Sequence, residues 1–213
     1  KVIYNFVPGG VFSATSANRL PELVVTDNIG VVGSAGNDDF NLGIIRTTPP
    51  SPGAQADLTG NLSVQAGAGT DSLTIRLKNG DSVDMGTGND TVSLQLDVGA
   101  IGSFSVSTLD GGAGTDTLNF LNLSDTGATL TLNTAGATNF ENIVGTRQAD
   151  TITGDANANT IIGESGGDTI SGLGGNDLIF GDIESSDPTS TTADQTLTSA
   201  ADDTITGGAG NDI

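Results

Sequence analysis

The sequence predicts an all-β fold, a parallel β-roll or β-helix solenoid with glycine-rich turns and irregular insertions. Three observations support this prediction: a nine-residue repeat, short strand-like runs between the repeats, and no stretch with a helical period. In a solenoid each coil packs only against its neighbours, so a short repeat can build a continuous core.

The nine-residue repeat is clearest between Gly145 and Gly181. Its blocks read GTRQADTIT, GDANANTII, GESGGDTIS and GLGGNDLIF. Glycine opens every block, Asp or Asn fills the sixth place and isoleucine fills the eighth place. We expect two blocks to complete one coil, so that alternate blocks stack. The eighth-place residues would then point inward as an aliphatic ladder of Ile152, Ile161, Ile170 and Ile179.

The same motif returns elsewhere at wider spacing. The further copies are GSAGND (33–38), AGAGTD (66–71), MGTGND (85–90), GGAGTD (111–116) and GGAGND (207–212). Alternating, β-branched runs lie between them and predict strands at Leu73–Leu77, Thr91–Leu96 and Thr129–Asn133.

Two regions are therefore predicted. Residues 1–139 form a β-rich, solenoid-like region with widely spaced motifs, and residues 140–213 form a compact β-roll. A Ser/Thr-rich insertion at about 183–200 interrupts the roll, because the repeat phase is lost there and then regained. The sequence stops inside a motif copy, so we expect it to be a piece of a longer chain.

The charge balance limits the partners. The chain has 26 Asp and Glu against 6 Lys and Arg, a formal net charge of −20. Such a chain repels phosphate backbones, so we expect no nucleic-acid partner. No apolar run approaches the roughly 20 residues that span a bilayer, so we expect no membrane insertion. Dispersed carboxylates suit a hard cation with oxygen ligands, Ca²⁺ before Mg²⁺.

We do not expect an enzyme. The chain has no histidine and no cysteine, which removes the usual nucleophilic and histidine-assisted mechanisms. The aspartates belong to a turn motif that already accounts for them.

The run from Phe140 to Asp182 resembles the RTX (repeats-in-toxin) nonapeptide of haemolysin-type calcium-binding proteins, G-G-x-G-x-D-x-apolar-x. This resemblance implies calcium held between stacked turns by aspartates and by carbonyls of glycine positions. By position, Asp150 and Asp168 would share one ion, and Asn159 and Asp177 would line the opposite edge. The resemblance also implies type I secretion to the surface or surroundings of a Gram-negative bacterium.

Carried over motif by motif, the resemblance implies a set of calcium ligands. The side-chain candidates are Asp38, Asp71, Asp90, Asp116, Asp150, Asn159, Asp168, Asp177 and Asp212. The glycine candidates are Gly67, Gly69, Gly86, Gly88, Gly112, Gly114, Gly166, Gly174 and Gly175. An isolated glycine–aspartate motif is also typical of an ordinary turn, and this alternative stays open for Asp38, Asp71 and Asp90.

Three functions agree with these features. The first is an extracellular structural protein that folds with calcium and stacks end to end with copies of itself into a surface layer, matrix or filament. The second is a calcium-binding export and folding module of a larger secreted enzyme or toxin. The third is a carbohydrate- or ice-binding adhesin module, for which Thr151, Thr160 and Thr169 lie in phase.

Overall fold

The computed structural model describes residues 2–5, 11–13, 29–42, 61–75, 77, 80–94, 108–120, 127–132, 137–182 and 203–213. The predicted insertion at about 183–200 lies outside these residues. In chain order, the strands of the described residues are β1 (Val2–Asn5), β2 (Val11–Ser13), β3 (Ile29–Val32), β4 (Asp39–Asn41), β5 (Leu62–Ala68), β6 (Ser72–Ile75), β7 (Ser82–Thr87), β8 (Thr91–Leu94), β9 (Thr108–Asp110), β10 (Thr117–Asn119), β11 (Thr129–Thr131), β12 (Ala137–Thr138), β13 (Asn142–Val144), β14 (Thr151–Thr153), β15 (Thr160–Glu164), β16 (Thr169–Gly174), β17 (Leu178–Asp182) and β18 (Thr204–Ala209).

These strands form three parallel sheets, as the predicted solenoid requires. The six-stranded sheet has the order β1-β3-β5-β7-β9-β12, and the four-stranded sheet has the order β11-β14-β16-β18. The eight-stranded sheet, β17-β15-β13-β10-β8-β6-β4-β2, takes strands from both sides of residue 139. The chain alternates between the six- and eight-stranded sheets from β1 to β10, and between the four- and eight-stranded sheets from β13 to β18.

The core consists of aliphatic and aromatic ladders that run across the sheets. In the four-stranded sheet, Leu130 lies opposite Ile152, and Ile152 lies opposite Ile170. In the eight-stranded sheet the ladder contains Phe40, Leu73, Val92, Leu118, Ile143, Ile161 and Ile179. All of these side chains are buried except that of Ile179, which is partly buried and packs against the same cluster. One buried cluster thus joins the three sheets.

The register explains why irregular spacing is compatible with a regular stack. Ser72 of β6 pairs with Asp39 of β4 and with Thr91 of β8, although the lengths of chain between them differ. Parallel pairing depends only on the strands, so the connecting segments can vary in length. No helix occurs among the residues that the structure describes, and therefore none there is long and apolar enough to cross a membrane.

Candidate metal centre

The acidic residues of the motif stack in two columns. The long column lies along the eight-stranded sheet, and each of its first seven members directly precedes a strand. Its members are Asp38, Asp71, Asp90, Asp116, Glu141, Asn159, Asp177 and Asp212. The short column precedes strands of the four-stranded sheet, and its members are Asp150, Asp168 and Asp203.

Hydrogen bonds from the backbone to side chains join neighbouring members. In the long column, Asp38 N donates to Asp71 Oδ1 (2.8 Å) and Asp71 N donates to Asp90 Oδ1 (2.7 Å). In the short column, Asp150 N donates to Asp168 Oδ1 (2.9 Å). Each of these acceptor carboxylates therefore uses one oxygen to satisfy a buried N–H group of the preceding coil.

The other oxygen of most column members has no hydrogen-bond partner. The buried carboxylate oxygens in this state are Asp38 Oδ1, Asp71 Oδ2, Asp90 Oδ2, Asp116 Oδ2, Asp168 Oδ2 and Asp177 Oδ2. The side chains that carry them are at most 3% exposed. A buried charged oxygen is costly unless another group satisfies it. A row of such oxygens at one edge of a stack is a donor set that a row of cations would satisfy.

Backbone carbonyls face the same turns. A Cβ on Gly163 would lie 2.1 Å from Asp168 Oδ2 and 2.6 Å from Gly181 O. Gly172 has the same relation to Asp177. A partnerless carboxylate oxygen and a carbonyl oxygen of the next coil thus meet in the space that a side chain would fill. Only glycine leaves that space open to an ion.

Glycine is also needed for the backbone conformation of the turns. The candidate glycines with φ in the left-handed region are Gly67, Gly69, Gly86, Gly88, Gly112, Gly114, Gly166 and Gly175. A Cβ on Gly88 would lie 1.5 Å from Gly69 O, so neighbouring turns stack too closely for any side chain. Gly174 differs, because its φ is not left-handed and its Cβ would meet nothing nearer than Ala156 Cα at 3.7 Å.

In two turns a hydroxyl side chain donates to the carboxylate of the motif. Thr146 donates its N–H to Asp150 Oδ2 (2.7 Å) and its hydroxyl to Asp150 Oδ1 (2.8 Å), and Ala128 N also donates to Oδ1. Both oxygens of Asp150 therefore have partners. In the first turn the N–H (2.6 Å) and the hydroxyl (2.9 Å) of Ser34 both donate to Asp38 Oδ2, and Asp38 Oδ1 stays without a partner.

The electrostatics of the columns disfavour negative charge in the absence of a cation. Burial raises the pKa of Asp116 to about 6; the Asp90 N–H opposes this shift, and the charges of Asp90, Glu141 and Asp110 add to it. Burial likewise raises the pKa of Asp168 to about 6. The pKa values of Asp71, Asp90 and Asp150 are raised too, again chiefly by burial. A bound cation would reverse this preference, since it favours the ionised carboxylate.

Comparison with protein families agrees with this geometry. Four copies of the RTX calcium-binding nonapeptide repeat match residues 101–126, 136–170, 154–184 and 193–213. The chain is an RTX repeat protein. Comparison with curated proteins gives no match. The copies of the motif at 33–38, 66–71 and 85–90 lie outside the matched segments, yet their aspartates occupy the same column as Asp116 and Asp177.

Calcium fits the donors of this RTX stack. Within the described residues, no group of three or more His, Cys, Asp or Glu side chains is placed to hold a metal. An ion here would therefore take carboxylates from two adjacent column members and backbone carbonyls from the turns, such as Gly181 O beside Asp168. Ca²⁺ accepts six to eight such oxygens. When bound, it would neutralise the partnerless carboxylate oxygens and link one coil to the next.

The structure places the predicted side chains in pairs. Asp150 and Asp168 are neighbours in the short column, and Asn159 and Asp177 are neighbours in the long column. Asn159 is the least suitable cation ligand of the four. Its Oδ1 accepts the N–H of Asp155 (2.9 Å), and its Nδ2 is a buried donor without a partner.

Two column members were not among the predicted ligands. Asp203 accepts the N–H of Asp168 through Oδ1 (2.8 Å). The sequence does contain a signal for Asp203, because Asp203-Thr204-Ile205 resumes the phase of the nine-residue repeat. Glu141 accepts the N–H of Asp116 through Oε2 (2.8 Å). Its turn contains no glycine, so the motif pattern could not find it. The available signal was an acidic residue directly before the apolar run of β13.

Proposed function

We propose that the protein is an extracellular structural protein whose solenoid folds when calcium fills the turns. The observation that supports this proposal is the set of partnerless, buried carboxylate oxygens in the long and short columns. Without a cation, folding must bury these oxygens unsatisfied and bring like charges together. Calcium binding supplies the missing free energy, so binding and folding are coupled.

The proposed location follows from calcium concentration. RTX repeats are typical of secreted proteins. Extracellular calcium modules bind with dissociation constants of about 10⁻⁴–10⁻³ M. Sites of that strength stay empty at cytosolic calcium levels and fill outside the cell. The chain would therefore remain largely unfolded before export and fold after it.

We further propose that coils of different copies stack end to end into a surface layer, matrix or filament. Neighbouring coils join through parallel strand edges and an apolar ladder, as at Ile152 and Ile170. The same kind of pairing can join coils of two copies, because it depends on the repeat and not on the chain connection.

We also propose that the chain has no catalytic activity. It lacks histidine and cysteine. The column carboxylates accept backbone N–H groups, as Asp168 does from Asp150 and Asp177 does from Asn159. Carboxylates held in this way serve as ligands and turn acceptors and are poorly placed for acid–base chemistry on a substrate.

The test is a calcium titration of the purified chain, followed by circular dichroism and light scattering together, with magnesium at equal ionic strength as the control. We expect β-structure to appear with calcium and to vanish with chelator. Assembly, measured by light scattering, that appears and disappears together with the β-structure supports the structural function. Folding without assembly would favour the alternative function, a folding module of a larger secreted protein. Full β-structure in excess chelator would overturn the coupling of folding to calcium.

A further inference from the structure

A short turn without glycine joins the two kinds of repeat. Between β9 and β10 the turn is the six-residue motif GGAGTD, residues 111–116. In the next coil the turn between β12 and β13 is only Asn139-Phe140-Glu141. The strands on both sides nevertheless stay in register, with Ala137 opposite Leu109 and Asn142 opposite Thr117.

Glu141 occupies the position that an aspartate occupies in the other turns. Asp116 N donates to Glu141 Oε2 at 2.8 Å, which repeats the bond from Asp90 N to Asp116 Oδ1 at 2.8 Å. The side chain of glutamate is one methylene longer than that of aspartate. This extra length lets a three-residue turn bring its carboxylate to the column, so the exchange of Asp for Glu compensates for the shorter loop.

An independent observation points to a ligand at this position. Asp116 is 0% exposed, its Oδ1 accepts the N–H of Asp90, and its Oδ2 is buried without a partner. The carbonyl oxygen of Asn139 and the side chain of Asp116 approach Gly111 together: a Cβ on Gly111 would be 2.0 Å from Asn139 O and 2.9 Å from Asp116 Cβ.

Asn139 has a positive φ, as several glycines of the other turns do. Its φ is 56°, and its Nδ2 donates to Asp110 Oδ1 (2.7 Å), which also accepts the N–H of Gly112 (3.1 Å). Asn tolerates the left-handed region better than other side chains do. Asp110 therefore acts as a positioning residue for the carbonyl of Asn139.

We infer that Asp116, Glu141 and the Asn139 carbonyl form a calcium site outside the nonapeptide motif, at the junction of the spaced and compact repeats. The inference rests on the proposed calcium binding of the columns. Two carboxylates and a carbonyl are hard oxygen donors, which suit Ca²⁺. An ion here crosslinks the coil of 108–120 to the coil of 137–144, so the two regions fold as one calcium-dependent unit.

The test is Glu141→Gln in the full chain, with bound calcium counted by equilibrium dialysis and by titration calorimetry. Glutamine keeps an oxygen that accepts the Asp116 N–H but loses the charge. Asp84→Asn is the matched control, because Asp84 is exposed on β7 and lies outside both columns. We expect Glu141→Gln to bind one ion fewer per chain, or to weaken one site at least about tenfold, while Asp84→Asn binds as the unaltered chain does.

Folding provides a second readout if the dialysis count is ambiguous. Loss of a ligand raises the calcium concentration at the folding midpoint, seen by circular dichroism, and leaves the spectrum at saturating calcium unchanged. An unchanged stoichiometry and midpoint in Glu141→Gln would overturn the site and leave Glu141 a hydrogen-bond acceptor only. A chain that binds no calcium before substitution would instead overturn the proposed function itself.

Discussion

Asp150 and Asp168 fill the same place of the same motif in adjacent coils of the short column, but their oxygens are satisfied in different ways. In the turn 145–150, Thr146 donates two hydrogen bonds to Asp150, and both carboxylate oxygens have protein partners. In the turn 163–168, Glu164 stands at the place of Thr146, and Oδ2 of Asp168 is buried without a partner. We call these the capped turn (145–150) and the open turn (163–168).

The difference indicates how an RTX stack can vary its demand for calcium. In the capped turn the N–H and the hydroxyl of Thr146 donate to different oxygens of Asp150, so the turn completes the hydrogen bonding of its aspartate from within. Where no donor reaches the second oxygen, as in the open turn, the carboxylate depends on a cation from solution. Arg147 adds a positive charge to the capped turn, and its charge counteracts the burial that raises the pKa of Glu164 in the open turn. Calcium affinity should therefore differ between coils that share one motif.

The largest expected effect comes from removing the charge in each turn separately. Asp168→Asn should raise the calcium dissociation constant by about tenfold to a hundredfold, because the open turn depends on a bound cation. Asp150→Asn, the same change in the capped turn, should have a clearly smaller effect. Titration calorimetry on both variants measures the difference. Equal effects would contradict the distinction between capped and open turns.

The second prediction concerns pH. Burial raises the pKa of Asp116 and Asp168 to about 6, above the ordinary value of 3.8. Between these pH values the calcium-free folded state binds protons that the unfolded chain releases, so its stability falls as pH rises through this window and is lowest above about 6. Protons compete with calcium for the same oxygens, so the calcium needed for folding should increase as pH falls below about 6.

Circular dichroism in chelator at pH 5 and pH 7, and unfolding in urea at saturating calcium at the same two pH values, check this prediction. We expect the change from pH 7 to pH 5 to increase the residual β-structure of the calcium-free chain and to destabilise the calcium-bound chain. Asp168→Asn should remove part of both trends. A stability in chelator that rises with pH between 5 and 7 would show that the buried carboxylates do not control it.

The third prediction tests the cap itself. Thr146→Val keeps the shape of the side chain but removes the hydroxyl that donates to Asp150 and accepts the N–H of Gln148 (3.0 Å). We expect a loss of about 1–1.5 kcal/mol in the free energy of unfolding at saturating calcium. Thr151→Val is the control, since Thr151 is exposed on β14 and should change stability by less than about 0.5 kcal/mol. Equal losses in the two variants would assign the effect to threonine in general.

Much of the fold could be predicted because the compact array keeps a constant period. Nine residues per block place Ile152 opposite Ile170 once two blocks complete a coil, and the structure has this pairing. The spaced motifs lack that constancy: 33 residues separate Asp38 from Asp71, but 19 separate Asp71 from Asp90. Their common column depends on strand pairing, which a search for a fixed period cannot detect.

The hydrogen-bond partners of individual carboxylates were harder to predict. In three blocks the second place of the motif holds Thr146, Glu164 and Leu173. The sequence alone does not show which backbone conformation each of these residues adopts. The structure gives Glu164 a φ of 84° and Leu173 a φ of 75°, where the turns 66–71, 85–90, 111–116 and 207–212 place glycine. The repeat therefore imposes a left-handed conformation on residues that disfavour it, since stacking and the core determine the path of the turn.

This conformation leads to the smallest predicted effect. Leu173→Gly should relieve about 1–2 kcal/mol of left-handed strain and cost about 0.5–1 kcal/mol of backbone entropy, for a net gain of about 0.5–1 kcal/mol. Little packing is lost, because Leu173 is 50% exposed. Leu173→Ala removes the same apolar side chain but keeps a Cβ, so it should give no such gain. Urea unfolding at saturating calcium compares the two variants. If the Leu173→Gly chain is no more stable than the Leu173→Ala chain, the backbone at residue 173 is not strained.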